Sequence, residues 1–378
     1  MSGFFRFSSS KILTGKYGFS SHCLRRFFLK FFPLSSGCRF FFFISILLFA
    51  NIACSSKSNP EADKQGEKND AGFSLLEKVE IGGVDQWLLA RGASKDKPVL
   101  LVLHGGPGAG SIGFARYFYE ELERDFIVVN WDQRGAGKSF SFFFPDVTPE
   151  TYVSDTIEVV RFLKKRFGVR KIYLMGHSWG GYIGAIASYR IPSDLYAFIA
   201  VGPVVDGEQS ARRSFEYLKR QPSESPEVSS ELKDLTFEEY MKDRRKWLNL
   251  FGLGMFHGKH RADEDRFLGG IMYESPDYST WNILTYLPGI WRSSSRIRPY
   301  FFEMNLFKQA PSAFIPSFYF SGKFDYYNPE EILLKYFARL DAKEKTFESF
   351  DCCAHAPHFE SPHEFAARMK LIKSSTYK

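Results

Sequence analysis

A serine inside a short glycine-rich stretch is the feature of this sequence best suited to chemistry. The stretch Gly176-His177-Ser178-Trp179-Gly180-Gly181 follows an apolar run and precedes the small-residue run 182–189. This pattern predicts a strand, a sharp turn and a helix, with the serine hydroxyl lifted clear of the sheet. Glycines let strand and helix approach closely, and the helix N-terminus favours developing negative charge. Ser178 is therefore the predicted nucleophile, although an isolated match would also fit a plain turn with a capping serine.

A serine hydroxyl is a weak nucleophile at neutral pH, so it needs a base, and the base needs an acid that orients it. Asp325 directly follows the apolar run 314–320 and is the predicted acid. Glu330, at a predicted helix start, is the weaker alternative. Both follow the serine in the chain, as expected for the order nucleophile, acid, base.

The base is expected among the three histidines that follow Asp325, out of eight in the chain. His355 lies in the segment just after the predicted last strand and is the predicted general base. His358 is the alternative, and His363 has the position of a helix-start residue. A polar surface or packing role is the competing interpretation for these last two.

The negatively charged oxygen of an acyl-transfer intermediate needs two backbone N–H donors. Trp179, which follows the serine, is predicted to supply one. Gly106, in the glycine-rich segment 104–110, is predicted to supply the other, because Pro107 has no N–H. His104 is expected to brace this segment rather than to react.

The predicted secondary structure places these residues where parallel strands end. Apolar runs alternate with amphipathic runs, which predicts a mostly parallel, doubly wound α/β sheet. We predict strands at 75–81, 84–91, 98–104, 126–131, 171–175, 197–205, 314–320 and 346–350, and helices at 112–124, 149–167, 182–189, 330–340 and 364–374. Residues 206–310 break the alternation and are predicted to form a helical cap, so that 73–205 and 311–378 make the core.

The N-terminal residues 1–53 have the composition of an export signal. The apolar run 40–50 is too short to span a bilayer. It leads into Asn51-Ile52-Ala53-Cys54, which resembles a bacterial lipobox, so Cys54 is the predicted lipidation site. Residues 54–72 are polar and predict a flexible tether. We therefore expect an exported cell-envelope lipoprotein of a bacterium, held at the membrane by a lipid anchor or its N-terminal segment. A simple secretory signal with an unmodified Cys54 is the alternative.

Bulk charge gives no reason to expect a nucleic-acid partner, despite a net charge of +7. Seven of the 50 Lys and Arg residues lie in residues 1–53, which contain no acidic residue, and the remaining 43 balance the 43 Asp and Glu residues. Gly137-Lys138-Ser139 resembles the end of a phosphate-binding loop, but Asp132 occupies a required glycine position. The five cysteines do not have the spacing of a disulfide framework or a zinc site. No metal and no cofactor are expected.

Taken together, the motifs resemble the α/β-hydrolase superfamily, and more narrowly its proline iminopeptidase branch, peptidase family S33. HGGPGAG, WDQRGAGKS, GHSWGG, SGKFD and AHAPHFESPHEF occur in that order. The resemblance implies the α/β-hydrolase fold with helices on both faces of the sheet and a helical cap. It also implies a triad of Ser178, Asp325 and His355, with Gly106 and Trp179 as oxyanion donors.

The resemblance leaves the substrate open. Aminopeptidases of this family hold the free amine of the substrate with cap glutamates, and a tryptophan-rich motif ending in glutamate often carries one. That motif is not found; the nearest cap stretch is Arg244-Arg245-Lys246-Trp247. The first interpretation is a serine hydrolase that releases an N-terminal residue, such as proline, from small peptides or amides. The alternatives are a carboxylesterase-type acyl hydrolase of small esters or amides, and a non-catalytic binding protein tethered to the envelope.

Overall fold

The computed structural model describes residues 72–143, 145–222, 225–259 and 261–377. The predicted export signal, the lipobox with Cys54 and nearly all of the predicted tether lie outside these ranges. None of the helices in the described ranges combines the length and the apolar character that crossing a membrane requires.

An eight-stranded sheet forms the centre of the molecule, in the order β1-β2-β4-β3-β5-β6-β8-β10. Strand β2 runs antiparallel to both of its neighbours, and the remaining pairs are parallel. A separate two-stranded sheet pairs β7 with β9. The strands are β1 (Phe73–Ile81), β2 (Val84–Gly92), β3 (Val99–Leu103), β4 (Ile127–Asp132), β5 (Ile172–His177), β6 (Leu195–Val201), β7 (Ser312–Ala313), β8 (Ser317–Gly322), β9 (Asp341–Ala342) and β10 (Lys345–Phe350). The predicted mostly parallel α/β architecture is confirmed.

The α-helices fall into a core set and a cap set. The core helices are α1 (Ala115–Phe118), α2 (Pro149–Phe167), α3 (Trp179–Arg190), α10 (Leu306–Gln309), α11 (Glu330–Arg339), α12 (Pro357–Glu360) and α13 (Pro362–Thr376). The cap helices, between β6 and β7, are α4 (Gly207–Leu218), α5 (Pro226–Asp234), α6 (Phe237–Lys242), α7 (Arg244–Leu250), α8 (Arg261–Glu274) and α9 (Thr280–Ile297). Short 3₁₀ helices lie at Ile112–Phe114, Leu122–Arg124, Gly137–Ser139, Pro192–Asp194 and Arg298–Glu303.

Both faces of the sheet are covered, and strand β3 shows why its sequence is continuously apolar. Leu101 and Leu103 belong to the apolar cluster that packs on α2, α3 and α11. Leu100 and Val102 belong to the cluster on the opposite face, which packs on α1 and α13. Since successive strand side chains point to opposite faces, a strand buried on both sides has no polar position.

Two of the predicted elements differ most from the structure, while the predicted strand 314–320 is shifted to Ser317–Gly322 and the predicted helix 182–189 begins at Trp179. The predicted helix 112–124 is interrupted, with only α1 in α-helical geometry between two 3₁₀ turns. Its start is fixed from outside, because Ile112 N donates to Asp132 Oδ1 at 3.1 Å. The predicted strand 197–205 ends at Val201, because Gly202 takes φ 49° and Pro203 follows. The β1–β2 hairpin and the helix at 149–167 are confirmed.

The cap is an excursion from the sheet whose two ends lie side by side. Asp206 forms an antiparallel bridge with Asn305, and Asn305 Nδ2 donates to Asp206 Oδ2 at 2.9 Å. Leu306 N also donates to Val205 O at 2.7 Å. The cap therefore leaves and rejoins the core next to the carboxyl end of β6, where ligands of open α/β sheets bind.

Candidate active site

Ser178 occupies a strained turn between β5 and α3, as the sequence predicts. Its backbone has φ 55° and ψ −115°, and it is the one non-glycine residue with positive φ in the described ranges. A Cβ on Gly176 would lie 2.2 Å from Gly180 O, and a Cβ on Gly180 would lie 2.2 Å from Leu103 O. Contacts this short exclude any side chain, so the two glycines are required by the close approach of strand and helix.

Asp325 and His355 form a hydrogen-bonded pair in the segments that follow β8 and β10. His355 Nδ1 lies 2.9 Å from Asp325 Oδ2. The other carboxylate oxygen accepts from Asn328 N at 2.8 Å. Both side chains of the pair are buried, with 2% of Asp325 and 5% of His355 exposed. Because the carboxylate accepts at Nδ1, the lone pair of the neutral imidazole is left on Nε2.

The end of β6 brings the serine and the pair to the same edge of the sheet. Ser178 N donates to Val201 O at 2.9 Å. A Cβ on the next residue, Gly202, would lie 2.9 Å from Asp325 Oδ2 and 3.2 Å from His355 Nδ1. No hydrogen bond joins Ser178 Oγ to His355 in the described part of the chain, and in ligand-free sites this bond is often long and tightens with substrate.

Gly106 and Trp179 flank the serine from two different elements. Gly105 packs directly on the serine, since a Cβ there would lie 3.3 Å from Ser178 Cβ. Gly106 follows with φ 119°. Within the described ranges, no hydrogen bond uses the backbone N–H of Gly106 or of Trp179. Neither predicted oxyanion donor is therefore taken up by a turn, loop or cap bond of the described ranges.

His104 braces this glycine-rich segment, as predicted. Its Nδ1 donates to Gly105 O at 2.7 Å, and its Nε2 accepts from Gln133 N at 3.1 Å. Gln133 Oε1 in turn accepts from Trp179 Nε1 at 3.1 Å. This bond links the segment to the elbow, the sharp strand-to-helix turn at residues 176–181, and to helix α3 that follows it. Burial lowers the pKa of His104 to about 4, so its imidazole is neutral at neutral pH.

The alternative acid and bases lie in other environments. Glu330 accepts from Ser349 Oγ at 2.7 Å rather than from a histidine. His363 is exposed at the start of α13 and pairs with Glu121. His358 is buried, and neither of its ring nitrogens has a hydrogen-bond partner. Of the predicted acids and bases, only Asp325 and His355 are therefore bonded to each other.

Two residues of the site were missed by the sequence analysis. His177 Nε2 lies 2.9 Å from His355 O. Asn328 N caps the carboxylate of Asp325, and Asn328 Nδ2 donates to Gly202 O at 2.8 Å. The spacing of Asp325 and Asn328 is that of a side-chain-capped turn, a signal present in the sequence. His177 had no local signal beyond its place inside the elbow motif.

Asp132 joins the loop after β4 to the cap. Its carboxylate accepts from Lys138 N at 2.8 Å and from Tyr278 OH at 2.7 Å. Burial raises the pKa of Asp132 to about 6. The N–H of Lys138, which would face phosphate in a phosphate-binding loop, is therefore occupied by a carboxylate of the protein itself.

Cap helix α9 lies on the glycine-rich segment. Tyr286 OH donates to Gly110 O at 3.2 Å, and Ser294 Oγ donates to Pro107 O at 3.3 Å. A Cβ on Gly108 would lie 2.8 Å from Gly289 O, so helix and segment meet backbone to backbone. The cap therefore lies over this edge of the sheet.

A buried cap carboxylate is connected to the base through two side chains. Glu264 accepts from Asn249 Nδ2 and from Phe256 N, each at 3.0 Å. Asn249 Oδ1 accepts from Tyr327 OH at 3.1 Å, and the Tyr327 ring centroid is 5.0 Å from that of His355. Burial raises the pKa of Glu264. In the described ranges, no group of three or more His, Cys, Asp or Glu residues could hold a metal ion.

Comparison with known proteins agrees with this fold. The profile of the family described as alpha/beta hydrolase fold matches residues 98–362. A probable aminopeptidase, YbaC of Bacillus subtilis, is 32% identical over 78% of this chain and 94% of its own length. The proline iminopeptidase of Heyndrickxia coagulans is 25% identical over 71% of this chain and 88% of its own. The crystal structure of a proline iminopeptidase-related protein from Thermus thermophilus superposes with a TM-score of 0.56 at 22% identity, and covers 80% of this chain and 98% of that one.

Proposed function

Because the chain belongs to the α/β-hydrolase fold family, in its proline iminopeptidase-like branch, we propose that it is a serine hydrolase that releases N-terminal residues from short peptides. The observation that carries this proposal is the buried bond between His355 Nδ1 and Asp325 Oδ2 at 2.9 Å. That pair lies at the same sheet edge as Ser178, the residue held in the strained turn.

The mechanism follows from the position of the His355 lone pair, which the bond to Asp325 leaves on Nε2. His355 Nε2 accepts the proton of Ser178 Oγ as the oxygen attacks the acyl carbon of the substrate. The oxyanion accepts hydrogen bonds from the N–H groups of Gly106 and Trp179. His355 then gives its proton to the leaving amine, and the acyl-enzyme forms. Water, activated by the same nitrogen, hydrolyses the ester and restores Ser178, while Asp325 stabilises the imidazolium in both steps.

A peptide with a free N-terminus is the substrate class supported best. The curated relatives that match most of this chain are named aminopeptidase or proline iminopeptidase. Glu264 offers a buried carboxylate on the cap side of the site, connected through Asn249 and Tyr327 to the surroundings of His355.

A fluorophosphonate probe tests the nucleophile. We expect the probe to label the wild-type chain and to leave Ser178→Ala unlabelled, because only an activated serine reacts with it. Ser188→Ala is the matched control, since Ser188 lies on the same helix and donates to Ala185 O. Labelling of Ser178→Ala at the wild-type rate would refute the assignment.

A substrate panel separates the two hydrolase classes. Proline-, alanine- and leucine-naphthylamides are compared with their N-acetylated forms and with short p-nitrophenyl esters. We expect hydrolysis of the free-amine compounds and loss of it on acetylation. Turnover of the esters alone would replace the aminopeptidase proposal with the carboxylesterase alternative.

We also propose lipidation at Cys54, which rests on the sequence motif alone. Metabolic labelling with a palmitate analogue in a bacterial host is expected to tag the wild-type chain and not Cys54→Ala. Cys352→Ala is the control, because it removes an exposed thiol outside the N-terminal segment. Equal tagging of wild type and Cys54→Ala contradicts the proposal.

A further inference from the structure

We propose that His177 is a positioning residue, which holds the base His355 by donating a hydrogen bond to its backbone carbonyl. This inference rests on the proposed function, in which His355 is the base. His177 precedes the serine in the chain, so the donor moves with the nucleophile.

The contact itself defines which nitrogen carries the proton. His177 Nε2 lies 2.9 Å from His355 O. A carbonyl oxygen only accepts, so Nε2 must donate, and Nδ1 of a neutral His177 holds the lone pair. The ring centroids of His177 and His355 are 4.7 Å apart. The two imidazoles are therefore in contact as well as joined through the carbonyl.

Burial keeps this donor uncharged. Only 6% of His177 is exposed. Burial, and then the neighbouring His358 and His355, lower its pKa well below the usual value. A neutral donor suits this position, because a cation beside His355 would oppose the positive charge that the base acquires when it takes the serine proton.

The residues on either side of His355 bond to other groups: Cys353 O accepts from Phe324 N at 3.0 Å, and Ala356 O accepts from Phe359 N at 2.8 Å and from Glu360 N at 3.0 Å. Ala354 N donates to Glu360 Oε1 at 2.6 Å, and His355 O is bonded to His177. The same imidazole also packs on the glycine-rich segment 104–110, since a Cβ on Gly105 would lie 3.1 Å from His177 Nδ1. The His177 side chain thus contacts both this segment and the segment that carries His355, and His177 directly precedes Ser178 in the chain.

Three substitutions separate hydrogen-bond donation from ring packing. His177→Gln keeps an N–H donor but has no ring. His177→Phe keeps the ring but has no donor, and His177→Met is a second donor-free variant with a flexible side chain. The readouts are the rate of fluorophosphonate labelling of Ser178 in the full-length chain, the split between kcat and KM on the best naphthylamide, and the thermal midpoint.

We expect His177→Gln to react within about threefold of wild type, and His177→Phe and His177→Met to react about tenfold to a hundredfold more slowly, the range that a small misplacement of a catalytic group produces. The loss is expected in kcat, with KM unchanged. Wild-type rates in His177→Phe together with a loss in His177→Gln would assign a packing role and overturn the proposal. Equal rates in all three variants would also overturn it, whereas a wild-type chain that is not labelled at all would instead reject the proposed function.

Discussion

Gly202 lies so close to Asp325 that a Cβ at position 202 would be 2.9 Å from the carboxylate Oδ2. That Cβ would also be 3.2 Å from His355 Nδ1. Asp325 and His355 can therefore lie together only because position 202, at the end of β6, has no side chain. The preceding residue, Val201, accepts the N–H of Ser178. This relationship gives a first prediction.

Gly202→Ala should lower both stability and activity. The residue has φ 49°, so alanine costs about 1–2 kcal/mol of unfolding free energy for the left-handed backbone. Its Cβ should also displace the acid or the base and lower kcat by about tenfold or more. Gly168→Ala is the matched control: it has φ 66° and nothing within 4 Å of its Cβ. We expect urea unfolding to show the backbone cost in both variants and a larger loss of stability in Gly202→Ala, with slower probe labelling only in Gly202→Ala.

Asp325→Asn should leave the fold intact and remove most of the activity. Asparagine can donate towards His355 Nδ1, which favours the wrong tautomer and leaves no carboxylate to stabilise the imidazolium. The expected fall in kcat is about 10³- to 10⁴-fold. Glu330→Gln, which removes the charge but keeps an oxygen that can accept from Ser349 Oγ, should remain within about twofold of wild type. Comparable losses in the two variants would remove Asp325 from its proposed role.

His358→Leu should preserve activity and raise stability at neutral pH. Both nitrogens of His358 are buried without a partner, among the rings of Tyr119, Phe359 and Phe365. Replacing such a group with an apolar one of similar size should raise the unfolding free energy by about 1 kcal/mol. The His358 ring is also 4.6 Å from that of His177, so His355→Ala is compared with it. Loss of turnover in His358→Leu with an unchanged fold, together with full turnover in His355→Ala, would show that His358, and not His355, acts as the base.

The same substitution should change the response to acid. Burial, and then the neighbouring His355, lower the pKa of His358 to about 3. The unfolded chain therefore binds a proton below pH 6.5 that the folded chain does not. Stability from this group is present above pH 6.5 and is lost as the pH falls, by up to about 1.4 kcal/mol per pH unit. Urea unfolding at pH 7, 6 and 5 should show a shallower decline for His358→Leu than for wild type.

Glu360→Gln should change the pH dependence in the opposite direction. Burial raises the pKa of Glu360 to about 7, although its carboxylate accepts from Ala354 N and His257 N. The folded state holds the extra proton, so stability from this group is present below pH 4.5 and is lost as the pH rises towards 7. The unfolding free energy of wild type minus that of Glu360→Gln should therefore be smaller at pH 7.5 than at pH 5. Glu364→Gln, on the exposed face of α13, is the charge-matched control.

The elements and their order could be predicted because local physics determines them. The run from Val99 to Leu103 contains no polar residue, a pattern typical of a strand that is buried on both faces, as this one is. The elbow is specified by residues within a few positions of Ser178. Thr148 and Pro149 mark the start of α2, where Thr148 N donates to Thr151 Oγ1 at 3.1 Å.

Contacts between distant segments could not be predicted in the same way. The interrupted helix at 112–124 depends on Asp132, whose carboxylate takes the N–H of Ile112. The burial of His358 depends on rings more than 200 positions earlier as well as on its neighbours. His177 becomes significant only when the segment after β10 lies over the elbow. Each of these features depends on tertiary contacts between distant residues, which local sequence patterns do not indicate.

The backbone contact between Gly108 and Gly289 affects how this enzyme could be re-engineered. Helix α9 and the segment that precedes α1 are fitted to each other without intervening side chains, so neither can be exchanged alone. Transplanting the cap of a relative to obtain a new specificity would require residues 105–110 to be transplanted with it. A graft that respects only the boundaries of the insertion would displace Gly106, whose amide we propose as an oxyanion donor.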